Sequence, residues 1–279
     1  MTNNNPAEEL PYYEVWGRGG KPLLLLHGFM MSSEMFHPLM ARLSQEYFVI
    51  APDLRGFGKS KHLPGPYTIR QQAQDVSVLL NHLGIERTHL FGFSKGGLVA
   101  QTLALEQPER FVSLTLCCSF AYKALTPAER LQRLWLTSLF RNVGAEGLMR
   151  MLNAELSSRV TKLSTRIFHW YHKMLTDNRD DVLLLTTHEL FKFDSRRQLG
   201  QIKMPTLIMG GSDDLIVPVH HAQFLMRSIP GARLKVFEGT GHSVLHTHPD
   251  AFLTSLTGFL SRVEPLNFTS IGFTDAPAV

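Results

Sequence analysis

Gly92-Phe93-Ser94-Lys95-Gly96-Gly97 sits between a short apolar run, Thr88-His89-Leu90-Phe91, and an apolar helical pattern from Leu98 to Leu105. Strand, G-x-S-x-G, helix is the order that puts a serine at the tip of a sharp turn above a sheet. The central residue of such a turn adopts a strained backbone conformation, and its neighbours must be small so that other backbone can approach. Gly92, Gly96 and Gly97 leave that room. The turn presents the Ser94 hydroxyl at the end of the sheet. It also points the N–H of Lys95, at a helix N-terminus, toward negative charge that develops there.

Upstream, Tyr12 to Trp16 alternate in strand fashion. Pro22-Leu23-Leu24-Leu25-Leu26 is the continuous apolar run of a strand buried on both faces. It ends at His27-Gly28-Phe29. A second run, Tyr47 to Ala51, ends at Pro52-Asp53-Leu54-Arg55-Gly56-Phe57-Gly58-Lys59-Ser60. Thr68 and Gln71 form a capping-box pattern, opening a helix that closes near Gly84 and carries the stripe Ile69, Ala73, Val76, Leu79, Leu80 and Leu83. Phe111 to Cys117 is a further strand. Strand and helix alternate, which predicts a parallel, doubly wound sheet.

From about Tyr122 to Leu199 the periodicity is helical only. Thr126-Pro127-Ala128-Glu129 reads as a helix start, followed by a face of Leu131, Leu134, Trp135, Ser138 and Leu139. Further helices are expected over 145–156, 160–176 and 180–192. This stretch reads as a lid whose large side chains (Trp135, Phe140, Met149, Met151, Phe168, Trp170, Met174) pack it and in part line a mostly apolar pocket. Strands return at Thr206 to Met209 and Leu234 to Phe237, with helices near 219–229 and 249–262. The expected organisation is a core over 12–120 and 200–263, a helical cap over 121–199, and loosely ordered tails at 1–11 and 264–279.

Bulk properties narrow the function. The 279 residues are 44% hydrophobic and 19% charged, enough apolar material for a full core. The net charge is +4, but Lys and Arg are scattered apart from Arg196-Arg197, so nucleic acid is not an expected partner. No apolar run reaches membrane-spanning length, and the polar start Met1-Thr2-Asn3-Asn4-Asn5 lacks a signal-peptide layout. Cys117 and Cys118 are adjacent, so on a strand they point to opposite faces. They read as buried thiols of a reducing, cytoplasmic compartment. Gly58-Lys59-Ser60 mimics the end of a phosphate-binding loop, but that motif needs glycine where Asp53 stands. His220-His221 and His242, His246 and His248 lack the Glu of a zincin motif. Neither a metal nor a cofactor is expected, and the oligomeric state is left open.

A serine nucleophile needs a base, and the base needs an orienting acid. Gly241-His242 follows the last strand. Gly211-Ser212-Asp213-Asp214-Leu215-Ile216-Val217-Pro218 follows the strand before it. The order Ser, Asp, His is the one this sheet architecture calls for.

Over about Tyr12 to Val263 the chain resembles the α/β-hydrolase superfamily, in its branch of small, cap-bearing serine hydrolases. The resemblance rests on His27-Gly28-Phe29, the Asp53–Ser60 stretch, Gly92 to Gly97, the G-x-x-D-x-x-x-P pattern from Gly211 to Pro218, and Gly241-His242. It implies a mostly parallel, doubly wound sheet of eight-stranded type with a cap inserted after the sixth strand. It further implies Ser94 as nucleophile, His242 as base and Asp214 as acid, with Asp213 the rival. The backbone N–H groups of Phe29 and Lys95 would form an oxyanion hole. His27 has two readings of its own, a ring that braces its loop, which is preferred, or a catalytic group. Some relatives take the acid from the loop before the lid, but Cys118-Ser119-Phe120 holds no carboxylate.

The implied reaction is hydrolysis of a carboxylic ester, lactone or thioester of a small, largely apolar substrate. The same triad also serves carbon–carbon hydrolases and cofactor-free haloperoxidases or perhydrolases. The former usually carry a Trp where Ser243 follows the histidine. Ser94 in place of an aspartate sets aside haloalkane dehalogenases and epoxide hydrolases. The non-enzymatic alternative is a receptor-like binder of this fold. Lys95 departs from the usual Met, Leu or Gln. Its side chain has two readings: toward the pocket, favouring an acidic substrate, or toward solvent.

Overall fold

The computed structural model describes residues 10–123, 126–131, 134, 138, 142 and 177–263. Within them the apolar runs become strands: Tyr13–Trp16 (β1), Lys21–Leu26 (β2), Tyr47–Pro52 (β3), Thr88–Phe93 (β4), Phe111–Cys117 (β5), Thr206–Gly211 (β6) and Arg233–Phe237 (β7). They form one sheet in the order β1-β3-β2-β4-β5-β6-β7. Only the β1–β3 pair is antiparallel.

Helices His37–Leu43 (α1), Ile69–His82 (α2), Lys95–Glu106 (α3), Asp180–Lys192 (α4), Val219–Ser228 (α5) and Pro249–Leu260 (α6) cover both faces. Alternation along β2 shows why. Leu24 and Leu26 join Val76 and Leu79 of α2, Leu98 and Val99 of α3, and Leu225 of α5 on one face. Leu23 and Leu25 join Leu39 and Leu43 of α1 and Phe252 and Leu256 of α6 on the other. A strand sandwiched in this way has no polar side, so its sequence is a run rather than an alternation. Thr68 caps α2 by accepting from the Gln71 N–H at 3.0 Å. The Gln71 side chain donates to Asp75 instead of completing the box. At 126–131 the box is complete: the Thr126 N–H donates to Glu129 Oε2 at 2.8 Å, and the Glu129 N–H donates to Thr126 Oγ1 at 3.2 Å.

Several expectations change. The described sheet has seven strands, not eight, and residues 121–199 follow the fifth strand rather than the sixth. Among the described residues one strand, β1, precedes β2, and positive-φ turns at Gly17 and Gly20 close it off. Cys118 is not on the strand: its φ is +49°. The two thiols are nevertheless buried and free, with Sγ atoms 3.9 Å apart. The helix α1 and a single helical turn at Val244–Thr247 are elements that the sequence reading does not assign. The helices expected over 145–156 and 160–176, the lid side chains Trp135, Phe140, Met149, Met151, Phe168, Trp170 and Met174, and the tail 264–279 lie outside the described residues. Among the described residues, no helix is long and apolar enough to cross a membrane.

Candidate active site

Four loops at the carboxyl edge of the sheet carry the candidate residues: Phe29 after β2, Ser94 after β4, Asp214 after β6 and His242 after β7. β4 is central, flanked by β2 and β5. Ser94 has φ +51° and ψ −116°, outside the regions an ordinary residue adopts. Surrounding hydrogen bonds hold it there. The Ser94 N–H donates to the Cys117 carbonyl at 2.8 Å, and Ser119 Oγ donates to the Ser94 carbonyl at 2.9 Å. A Cβ on Gly96 would overlap the Leu26 and His27 carbonyls, and one on Gly92 would overlap the backbone of Gly96 and Gly97. That closeness seats the first turn of α3 against the loop that carries Phe29. Met30, Ser94 and Cys118 are the non-glycine residues with positive φ among the described residues. All three lie just past the ends of β2, β4 and β5, where strain is usual at a working site.

Asp214 is 3% exposed. Its Oδ1 accepts from the Ile216 and Val217 N–H groups at 2.9 and 2.8 Å. Its Oδ2 lies 2.7 Å from His242 Nδ1. A carboxylate only accepts, so Nδ1 carries a proton, and in the neutral tautomer that this selects Nε2 has the lone pair. Burial pushes the Asp214 carboxyl up, but the charge and hydrogen bond of His242 and the two amides outweigh it and hold the group below the ordinary value. The His242 ring packs 5.1 Å from that of Phe93, the residue before Ser94. Asp213 is exposed and takes its bond from Ser212 Oγ.

His27 is fully buried. The Leu54 N–H donates to its Nε2 at 2.8 Å, so Nδ1 carries the proton and donates to the Gly28 carbonyl at 2.8 Å. Burial first, then the nearby Lys95, push its pKa down to about 3, so it braces the Phe29 loop as a neutral ring.

A scan against family models matches residues 21–164 and 172–249 to the family described as the alpha/beta hydrolase fold. The chain is an α/β-hydrolase. A protein of Pseudomonas savastanoi pv. phaseolicola, carrying the provisional name carbamate hydrolase RutD, is 32% identical over 86% of this α/β-hydrolase and 94% of its own length. Among solved structures, a thermophilic esterase from Thermogutta terrifontis superposes with a TM-score of 0.78 at 27% identity, covering 90% of this chain and 93% of the other. The enol-lactonase of Burkholderia xenovorans gives a TM-score of 0.78 at 25% identity, with 90% and 96% covered.

In this α/β-hydrolase the Asp53–Ser60 stretch is scaffolding. Asp53 accepts the Ser33 N–H at 2.6 Å and the Lys59 N–H at 2.8 Å, tying two loops together. Arg55 forms a two-pronged bond to Asp75. Among the described residues, two clusters bring three potential metal-ligating groups within 4.8 Å of one another. In the first, Cys118 Sγ adjoins the Asp214–His242 pair, a neighbour that the sequence does not announce. In the second, Glu129 Oε1 accepts from His221 Nε2 at 2.6 Å and His220 Nε2 at 3.1 Å. A metal-bound histidine normally donates its other N–H. His221 Nδ1 is buried without a partner, so this cluster fits a hydrogen-bonded carboxylate with a neutral His221 better than a metal. His246, one helical turn beyond His242, bonds the Met35 carbonyl at 3.0 Å.

The solvent reading of Lys95 does not hold. The side chain is 1% exposed, and its Nζ lies 4.4 Å from the centre of the Phe57 ring with no hydrogen-bond partner.

Proposed function

We propose that this α/β-hydrolase is a serine hydrolase that cleaves a carboxylic ester, lactone or thioester of a small, largely apolar molecule through an acyl-enzyme. The observation that carries the reading is the 2.7 Å bond between His242 Nδ1 and the buried Asp214, at the sheet edge that also holds the strained Ser94. In this reading His242 Nε2 takes the Ser94 proton as Oγ attacks the carbonyl carbon. The Phe29 and Lys95 amides hold the resulting oxyanion, each contributing up to about 3 kcal/mol in the transition state. His242 then hands the proton to the leaving oxygen or sulfur. A water, deprotonated by the same nitrogen, releases the acid. Asp214 keeps the tautomer and stabilises the imidazolium.

The carbamate name borne by the Pseudomonas relative favours a second reading with the same steps, in which the attacked carbonyl belongs to a carbamate. Hydrolysis of p-nitrophenyl esters from acetate to palmitate tests the first. Wild type is expected to turn over the short esters, and Ser94→Ala to lose turnover by several orders of magnitude with its fold intact. Equal rates in the two proteins would remove Ser94 from the chemistry. A folded wild type with no ester turnover but with release of ammonia from a carbamate would select the second reading.

A further inference from the structure

Lys95 donates its backbone N–H, in the reading above, and then turns its side chain inward. Its amine lies against Phe57, whose ring is 5.9 Å from that of Phe29 and 6.0 Å from that of His27. The amine is therefore enclosed by the loops after β2 and β3 and by the first turn of α3, at the same edge as Ser94. Among the described residues nothing there accepts a hydrogen bond from it. Among the described residues it is the one buried lysine nitrogen without a partner. Lys123, by comparison, donates to the Ile216 carbonyl. The titratable group facing it is His27, held neutral by its two bonds, so among the described residues no anion balances an ammonium. Burial accordingly pushes the amine's pKa well down. A methionine would fill this space without the cost of stripping water from an amine.

A buried donor left open in the free protein, beside a helix N-terminus that itself favours negative charge, is the arrangement of a site whose partner arrives with the ligand. We propose that Lys95 anchors a carboxylate on the substrate, so that the preferred ester is a small molecule bearing one free carboxylate close to its scissile carbonyl. This rests on the serine-hydrolase reading. The spacing follows from one residue supplying both contacts: its N–H meets the developing oxyanion, and its Nζ, one lysine side chain away, meets the carboxylate. Half-esters of short dicarboxylic acids match that reach. A single amine with a neutral imidazole beside it suits a monoanion rather than a phosphate dianion. On binding, the carboxylate favours the ammonium form that burial disfavours, so the amine draws a proton from solvent as the buried ion pair forms.

The test uses matched esters: monoethyl malonate, succinate and glutarate against ethyl acetoacetate, levulinate and 5-oxohexanoate, in which a methyl ketone replaces the carboxylate. In wild type, at least one half-ester is expected to exceed its ketone partner about tenfold or more in kcat/KM, mostly through KM. Lys95→Met and Lys95→Gln are each expected to bring that ratio to one or below. Calorimetric titration of the Ser94→Ala protein with the preferred half-ester, in buffers of different ionisation enthalpy, should show net proton uptake, and none when Lys95→Met is added. Ketone esters hydrolysed in a Ser94-dependent way, but with no half-ester preference or with one that both Lys95 variants keep, would overturn the inference alone. Failure of wild type on both series and on the p-nitrophenyl esters would instead overturn the ester-hydrolase reading beneath it.

Discussion

Asp213 and Asp214 are the same side chain at adjacent positions, and the backbone decides between them. Asp214 faces inward, where two amides and His242 saturate its carboxylate. Asp213 faces water. Asp214→Asn keeps the volume but offers His242 the wrong hydrogen-bonding partner, so kcat should fall by about four orders of magnitude while KM moves little. Asp213→Asn should leave kcat near the parent value. Single-turnover kinetics on a p-nitrophenyl ester separate the two, and a comparable loss in both would undo the assignment. The places of Ser94, Asp214 and His242 just past β4, β6 and β7 were legible in the sequence because turn pattern and chain order follow strand ends, whereas the preference for Asp214 over Asp213 came from the family pattern. The direction of the Lys95 side chain was not legible. It depends on Phe57, a residue 38 positions earlier, and on packing that no local pattern encodes.

Strands were the legible elements, since a run such as Pro22–Leu26 has one sensible environment. The short helix α1 was not, because seven residues starting at a proline-containing turn give too little periodicity to stand out. Contacts between element ends were also hidden. Gly96→Ala should separate the start of α3 from the end of β2, since the new methyl would overlap two carbonyl oxygens. A loss of about 1–3 kcal/mol in unfolding free energy and a fall in ester turnover are expected. A variant as stable and active as wild type would show that the loop gives way freely. The end of β5 offers a complementary experiment. Cys118 has the left-handed backbone that aspartate tolerates better than cysteine, and its Sγ adjoins both Asp214 and His242. Asp214→Ala should lose nearly all activity, and adding Cys118→Asp should restore part of it by placing a carboxylate beside the same imidazole. No recovery in a folded double variant would mean that the new carboxylate cannot reach Nδ1.

At the scale of the whole molecule, the buried groups around the site couple stability to protons. His27 is neutral in the folded state down to about pH 3, whereas the unfolded chain protonates it below 6.5. Lys95 is pushed well below 10.5 by burial, so over the interval up to 10.5 the unfolded chain again binds more protons than the folded one. Where the unfolded state holds the extra proton, stability rises with pH. Each of these groups therefore adds stability as pH climbs through its own window, by at most about 1.4 kcal/mol per pH unit. Lys95→Met removes the upper window while keeping a side chain of similar volume on the Phe57 ring. Urea unfolding between neutrality and about pH 10 should then show the variant more stable than wild type at the low end, with the gap closing as pH rises toward the ordinary lysine value. A gap that stays constant across that range would mean that Lys95 holds its proton equally in the folded and unfolded chains. The amine would then be charged in the resting enzyme, and its burial against Phe57 would need a resident counter-ion.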